Sequence, residues 1–273
     1  MERNPHEAEI ALQTLERYSG SQREEFRSNI ILTNFPKYVE YFAKTREVSI
    51  HEGSMFKVAH CPKEDISILD FKIGSPAAAL VVDICSFLPI RAGILLGMCG
   101  GLRRRYQVGE YLVPVAAIRG EGTSDSYFPL EVPALANFLM QRAATEVLDQ
   151  QKATYHIGIS FTTNTRFWEF NEEFKTRLKN TRAQGIEMEC ATLFAASYKR
   201  KFTLGALLLI SDLPLNHDGV KTKEGSRRIF DQYTEDHVEK GIKILKEARV
   251  MQSKKIKGAY HRNLSDLQPS HSE

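Results

Sequence analysis

The sequence predicts an α/β sandwich built on a largely buried sheet. Three observations carry this. Short apolar runs of strand length alternate with stretches of helical periodicity. The runs are almost wholly apolar, as expected of strands covered on both faces. The polar residues with chemical potential fall at the carboxyl ends of those runs, where ligands bind in such sheets.

Taken in order, residues 1–28 read as a peripheral N-terminal helix. Leu12, Leu15 and Tyr18 keep a helical spacing, but the stretch is too polar to be central. Ile66–Ile73 reads as a strand, and Ser75 and Pro76 suit the cap and first turn of a helix over Pro76–Phe87. Gly93–Gly97 (GILLG) is a short buried strand expected to end in a glycine turn, Gly97–Gly101. Tyr111–Ile118 is a further strand, in which Pro114 implies an edge or a bulge. A helix over about Pro133–Leu148, a strand at Tyr155–Phe161 and a polar helix around Glu172–Leu178 follow. Gly185–Glu189 then runs straight into a helix, Cys190–Tyr198. Gly205–Ser211 (GALLLIS) is a central strand, and Ile229, Tyr233, Val238, Ile242 and Leu245 form the inward stripe of a last long helix. Residues 29–250 are expected as one domain and 251–273 as a flexible polar tail.

Composition narrows the function. At 42% hydrophobic and 26% charged residues the chain is of ordinary globular type, and its net charge of +3 does not suggest nucleic-acid binding. No apolar run is long enough to span a bilayer and no signal-peptide core is evident, so a cytoplasmic protein is expected. The four cysteines show no C-x-x-C spacing and the histidines no H-x-x-x-H, so a zinc-type metal site is not expected. Cys85 and Cys190 read as small core residues. Gly97-Met98-Cys99-Gly100-Gly101 is not a dinucleotide fingerprint and leads into no P-loop; Gly158–Thr162 lacks the last glycine of a nucleophile elbow.

Three segments form a more specific signal: the glycine stretch after GILLG, the strand-to-helix junction G-I-E-M-E-C (Gly185–Cys190), and L-L-I-S-D-L-P (Leu208–Pro214), where Asp212 ends an apolar strand. With these landmarks in this order, the sequence resembles the nucleoside phosphorylase/nucleosidase superfamily. The resemblance runs from Ile30–Phe35 to the final helix. Two further stretches, Ala117–Asp125 (AIRGEGTSD) and Ile210–Glu224, resemble AMP nucleosidases of the short form. The resemblance implies a three-layer α/β/α sandwich with a central mixed sheet. It also implies hydrolysis of AMP to adenine and ribose 5-phosphate without a cofactor, and a homo-oligomer, expected as a hexamer. A purine nucleoside phosphorylase, or a phosphoribohydrolase for another base, is the alternative.

The chemistry requires an acid for the departing purine and an anion beside an oxocarbenium-like sugar. An aspartate ending a buried strand suits the first task if desolvation raises its pKa, although spacing alone favours a loop or helix-cap residue. The resemblance places Asp212 at purine N7. It places Glu189 at the ribose hydroxyls and Met188 beneath the sugar, with Glu187 either beside them or a structural partner. Met188 on its own would read as core. Phe161 matches an aromatic position against the base, and Asn164, Arg166 and Trp168 follow in a loop able to close over base or phosphate. In phosphorylases the glycine turn carries an arginine and a hydroxyl residue for inorganic phosphate. Leu95 and Met98 stand there, which favours water, and Gly97, Cys99 and Gly100 are left as backbone close to the ribose. Arg119, Thr123 and Ser124, with Lys221, are the expected 5′-phosphate ligands. Asn34 stands where related nucleosidases have a water-activating glutamate. It can orient water but cannot take its proton, a role left open between Glu189 and a substrate phosphate oxygen.

Overall fold

The computed structural model describes residues 4–216, 219 and 223–253. In chain order the elements are α1 (Pro5–Ser19), β1 (Asn29–Thr33), α2 (Pro36–Arg46), β2 (Ile50–Glu52), β3 (Lys57–Cys61), β4 (Ile66–Asp70), α3 (Ser75–Cys85) and β5 (Ala92–Gly101). They continue as β6 (Tyr111–Gly120), β7 (Ala134–Leu135), α4 (Phe138–Gln150), β8 (Tyr155–Thr163), α5 (Glu172–Thr181), β9 (Gly185–Glu187), α6 (Cys190–Lys199), β10 (Leu204–Asp212) and α7 (Lys223–Ser253).

The strands form one mixed sheet, as expected. β1 pairs parallel with β4 and β5, while β10 runs parallel to β5 and antiparallel to β6. β8 lies parallel to β6 and β9, and β9 returns antiparallel to β5. These pairings close β5, β10, β6, β8 and β9 into a circuit. The sheet therefore curls on itself at one side and stays open through β1, β4, β3 and β2. Helices cover both faces. One apolar core holds α3 and α6 residues such as Val81, Val82, Leu193 and Phe194; the other holds Phe42, Met140, Val238 and Leu245 from α2, α4 and α7. The α7 stripe is buried at Ile229, Val238, Ile242 and Leu245. The four cysteines are buried. No helix among the described residues is long and apolar enough to cross a membrane.

The structure revises three local expectations. The glycine stretch is not a turn: β5 continues to Gly101, because Gly100 and Gly101 pair with Ile186 and Gly185 on one side while Asp212 meets Gly100 on the other. Backbone pairing on both edges holds these glycines extended. The helix expected from Pro133 starts at Phe138, capped by the Asn137 side chain, because Ala134–Leu135 adds to β6 as a strand. Ser75 does not cap α3. Gly74, at φ +98°, precedes the helix, and Ser75 Oγ donates to the Met188 carbonyl at 2.7 Å. Pro114, by contrast, sits at the irregularity between β6 and β8 that a proline inside a strand implies.

Candidate active site

The ends of β1, β5, β8, β9 and β10 meet at a cavity of about 480 Å³. Pairing places its walls directly: Asp212 is opposite Gly100, and Gly100 opposite Ile186. Gly100 is required there, since a Cβ would lie 2.8 Å from Pro214 Cγ, in the segment that follows Asp212. The cavity is lined by Asp212 and Glu189 together, along with Glu187, Met188, Cys99, Gly100 and Asn34.

One wall is built from the E-M-E segment. Glu187 is buried and receives four hydrogen bonds. Ser160 Oγ (3.1 Å) and Thr162 Oγ1 (2.5 Å) donate to Oε1, and the Glu189 and Cys190 amides (2.7 and 2.6 Å) donate to Oε2. It thereby satisfies amides at the start of α6, where a negative charge is favoured. Glu189 Oε1 accepts from the Gly74 amide at 2.8 Å and Asn34 Nδ2 at 3.3 Å, and Oε2 from the Met188 amide at 3.3 Å. The positive φ of Gly74 lets that amide turn toward the carboxylate. Burial pushes the Glu189 carboxyl up to about 7, reinforced by the Glu187 charge beside it. Burial raises Glu187 as well, but its hydroxyl and amide donors oppose the shift. The donors thus favour charge on Glu187 and leave the pair's last proton on Glu189.

The opposite wall is less committed. Ser211 Oγ donates to Asp212 Oδ1 at 2.6 Å and orients a carboxyl that is half-buried. Trp168, Glu169, Arg166 and Thr165 also line the cavity, as do Lys223, Ser226 and Phe230 from the first turns of α7.

Residues 28–248 match the Phosphorylase superfamily. The chain belongs to that superfamily. The structure superposes on the AMP nucleosidase of Bacteroides thetaiotaomicron VPI-5482 with a TM-score of 0.80 and 36% identity, covering 90% of this chain and 99% of that one. An AMP nucleosidase of Escherichia coli K12 is 25% identical over 87% of this chain, and this chain spans 58% of that relative's length. A guanosine phosphorylase of Halorubrum lacusprofundi is 25% identical over 75% of this chain and 81% of its own. Uridine phosphorylase from Vibrio fischeri ES114 shares the fold, with a TM-score of 0.73 at 19% identity, covering 82% of this chain and 93% of that one.

Within this superfamily member several expected ligands lie elsewhere. Arg119 does not line the cavity. Its side chain is 6% exposed, and its guanidinium braces the loop after β6. Nε donates to Ser124 Oγ (2.9 Å), Nη1 to the Pro129 and Val132 carbonyls, and Nη2 to Asp125 (2.8 Å) and the Phe128 carbonyl. Ser124 is fully buried under that loop, and Thr123 shares its short helical turn; neither lines the cavity. Phe161 is a core residue at 1% exposure, packed edge-on against Phe174; Trp168 is the indole at the cavity wall. Asn164 is exposed, and its amide donates to the Glu121 carbonyl at 3.3 Å. Gly97 lies in the β5 interior against Leu208, and Leu95 is core. Lys221 falls outside the described residues. Sequence reasoning missed Ser211, Glu169, Lys223 and Ser226. Ser211 was available as the hydroxyl preceding Asp212, and Lys223 lies within the Ile210–Glu224 stretch; Glu169 and Ser226 carry no motif.

Proposed function

We propose that the protein is an N-glycosidase that hydrolyses AMP to adenine and ribose 5-phosphate. The observation that carries this is the placement of Asp212 and Glu189 on one cavity. Asp212, oriented by Ser211, delivers a proton to N7 as the C1′–N9 bond breaks, so that adenine leaves neutral. Glu189 in its ionised form accepts hydrogen bonds from the ribose hydroxyls and steadies the cationic sugar. Met188 supports the sugar from the same wall.

Water is the nucleophile in this reading. Asn34 Oδ1 is a buried acceptor without a partner among the described residues, on the cavity and beside Glu189. It seats the water, and Glu189, poised near neutrality, accepts the proton. Met98 on the wall and Leu95 in the core hold no inorganic phosphate.

Arg166 is already paired with Glu169 at 3.2 Å. The 5′-phosphate is therefore assigned to Lys223 and Ser226 in the first turn of α7, where a helix favours an anion. The active species is a homo-oligomer, a hexamer, located in the cytoplasm. Exposed Ile157, Ile159 and Phe138 offer apolar surface for assembly, which light scattering in solution checks.

The test is product analysis with AMP and adenosine, with and without inorganic phosphate. Adenine and ribose 5-phosphate are expected from AMP without added phosphate. Strict phosphate dependence with a sugar 1-phosphate as product would make the protein a phosphorylase.

A further inference from the structure

We propose that Glu169 reads the 6-amino group of the purine, so that this residue sets the preference for adenine over 6-oxopurines; this rests on the AMP hydrolysis reading above. Glu169 is 6% exposed and lines the cavity. Oε1 accepts from Arg166 Nη1 at 3.2 Å, whereas Oε2 is buried and has no hydrogen-bond partner among the described residues. Leaving a buried carboxylate oxygen unpaired is costly, and a donor supplied by the ligand removes that cost.

The surroundings say which donor. Glu169 sits in the short helical turn Trp168–Phe170, immediately before the Asn171 side chain caps α5. Trp168 is 4% exposed and packs against Phe174, 5.6 Å between ring centroids, which in turn packs on Phe161. The turn is thus pinned by aromatic packing, with apolar Trp168 and Ile186 on the same cavity wall. A second anion is unfavourable beside a carboxylate, which excludes the phosphate end. The sugar hydroxyls have Glu189. What remains is the base. Adenine presents an N6–H₂ donor next to the N7 acceptor, whereas guanine and other 6-oxopurines present two acceptors on that edge. An ionised carboxylate only accepts. Asp212 at N7 and Glu169 at N6 therefore read adjacent atoms of one edge, and a 6-oxo group would face Glu169 acceptor to acceptor.

The experiment compares wild type with Glu169→Gln on AMP, IMP and purine riboside 5′-monophosphate, which lacks any 6-substituent. Loss of a hydrogen bond to a charged group predicts a fall of about 10–100-fold in kcat/KM for AMP. The unsubstituted analogue should change by less than about twofold, since it makes no such bond. The AMP-to-IMP ratio should fall, because the new amide can donate to O6. An equal loss on AMP and on the unsubstituted analogue would overturn the proposal, because that is what a merely structural residue gives. Should the variant not fold, wild type alone decides. It must prefer AMP over the unsubstituted analogue by at least about tenfold, and equal turnover overturns the assignment. Calorimetric binding of free adenine against free purine applies the same comparison without catalysis. Failure of the hydrolysis reading would show separately, as no base release from AMP by wild type.

Discussion

The two ends of the cavity are finished to different degrees. At one, every carboxylate oxygen of Glu187 and Glu189 is held by backbone amides, hydroxyls or Asn34. At the other, Glu169 keeps an oxygen with no hydrogen-bond partner among the described residues, and Asp212 is only half-buried. A preorganised anion that need not move is what a transient cation requires. An unpaired acceptor instead discriminates among ligands, since the wrong one leaves it unpaired. On the proposed hydrolysis, the contrast gives rate to the Glu187–Glu189 side and selectivity to Glu169, with Asp212 serving both.

The largest expected effect breaks the chemistry at Asp212. Asp212→Asn should lower kcat by about 10²–10⁴-fold, the range of a lost general acid, while AMP binding stays near the wild-type value. Isothermal titration beside single-turnover kinetics separates the two. Weak binding with unchanged residual turnover would move Asp212 from proton delivery to mere attachment.

Glu189 gives the next effect and a pH signature. Its carboxyl is pushed up from 4.5 to about 7 by burial and the neighbouring Glu187. Activity should therefore decline as pH falls below about 7, where Glu189 becomes neutral. A kcat/KM profile flat from about pH 5 to 8 would remove the role given to it. The Glu189 contribution to stability has the opposite dependence. The folded protein retains a proton there that the unfolded chain releases between 4.5 and about 7, so this contribution falls as pH rises through that window and levels off above it. Buried His60 and His237, lowered from 6.5 to about 4, contribute with the opposite sign, so the wild-type minus Glu189→Gln difference in melting temperature across the same range isolates the Glu189 share, which should shrink as pH rises.

Much of this was legible in the sequence, and the rest was not for physical reasons. Continuous apolar strands such as Leu204–Ile210, all buried, announced the sheet. Asp212 and the E-M-E segment were findable because a strand end and a strand-to-helix junction are local features. Arg119 looked like a phosphate ligand because glycine, hydroxyl and guanidinium are close in sequence. The carbonyls of Phe128, Pro129 and Val132 that consume its donors come from a loop whose path no motif encodes. Phe161 is 1% exposed and packed against Phe174, and the ring at the wall is Trp168, beyond the strand end. Glu169, Lys223 and Ser226 reach the cavity only through long-range packing.

A smaller effect sharpens the same contrast at the phosphate. Lys223→Ala should cost AMP about tenfold in kcat/KM and leave adenosine nearly unchanged, since only AMP offers a charge to pair. A parallel loss on both substrates would move the phosphate away from α7.

The smallest effect on selectivity is expected at Arg119, where a motif-based reading and the geometry disagree. If Arg119 held the phosphate, Arg119→Ala would hurt AMP far more than adenosine. Its donors instead tie Ser124, Asp125 and three carbonyls together. The same loop is anchored to α6 through Glu121 Oε1, which accepts from the Ser124 amide at 3.2 Å and Thr192 Oγ1 at 2.7 Å. Thr192 lies in the first turn of the helix that begins at the E-M-E junction. Removing a guanidinium that is 6% exposed and makes five hydrogen bonds within this loop costs about 1–3 kcal/mol of stability. AMP and adenosine should then lose activity in the same proportion, with a lowered melting temperature. A selective loss on AMP with unchanged melting would return Arg119 to the substrate and require the loop after β6 to open in the working enzyme.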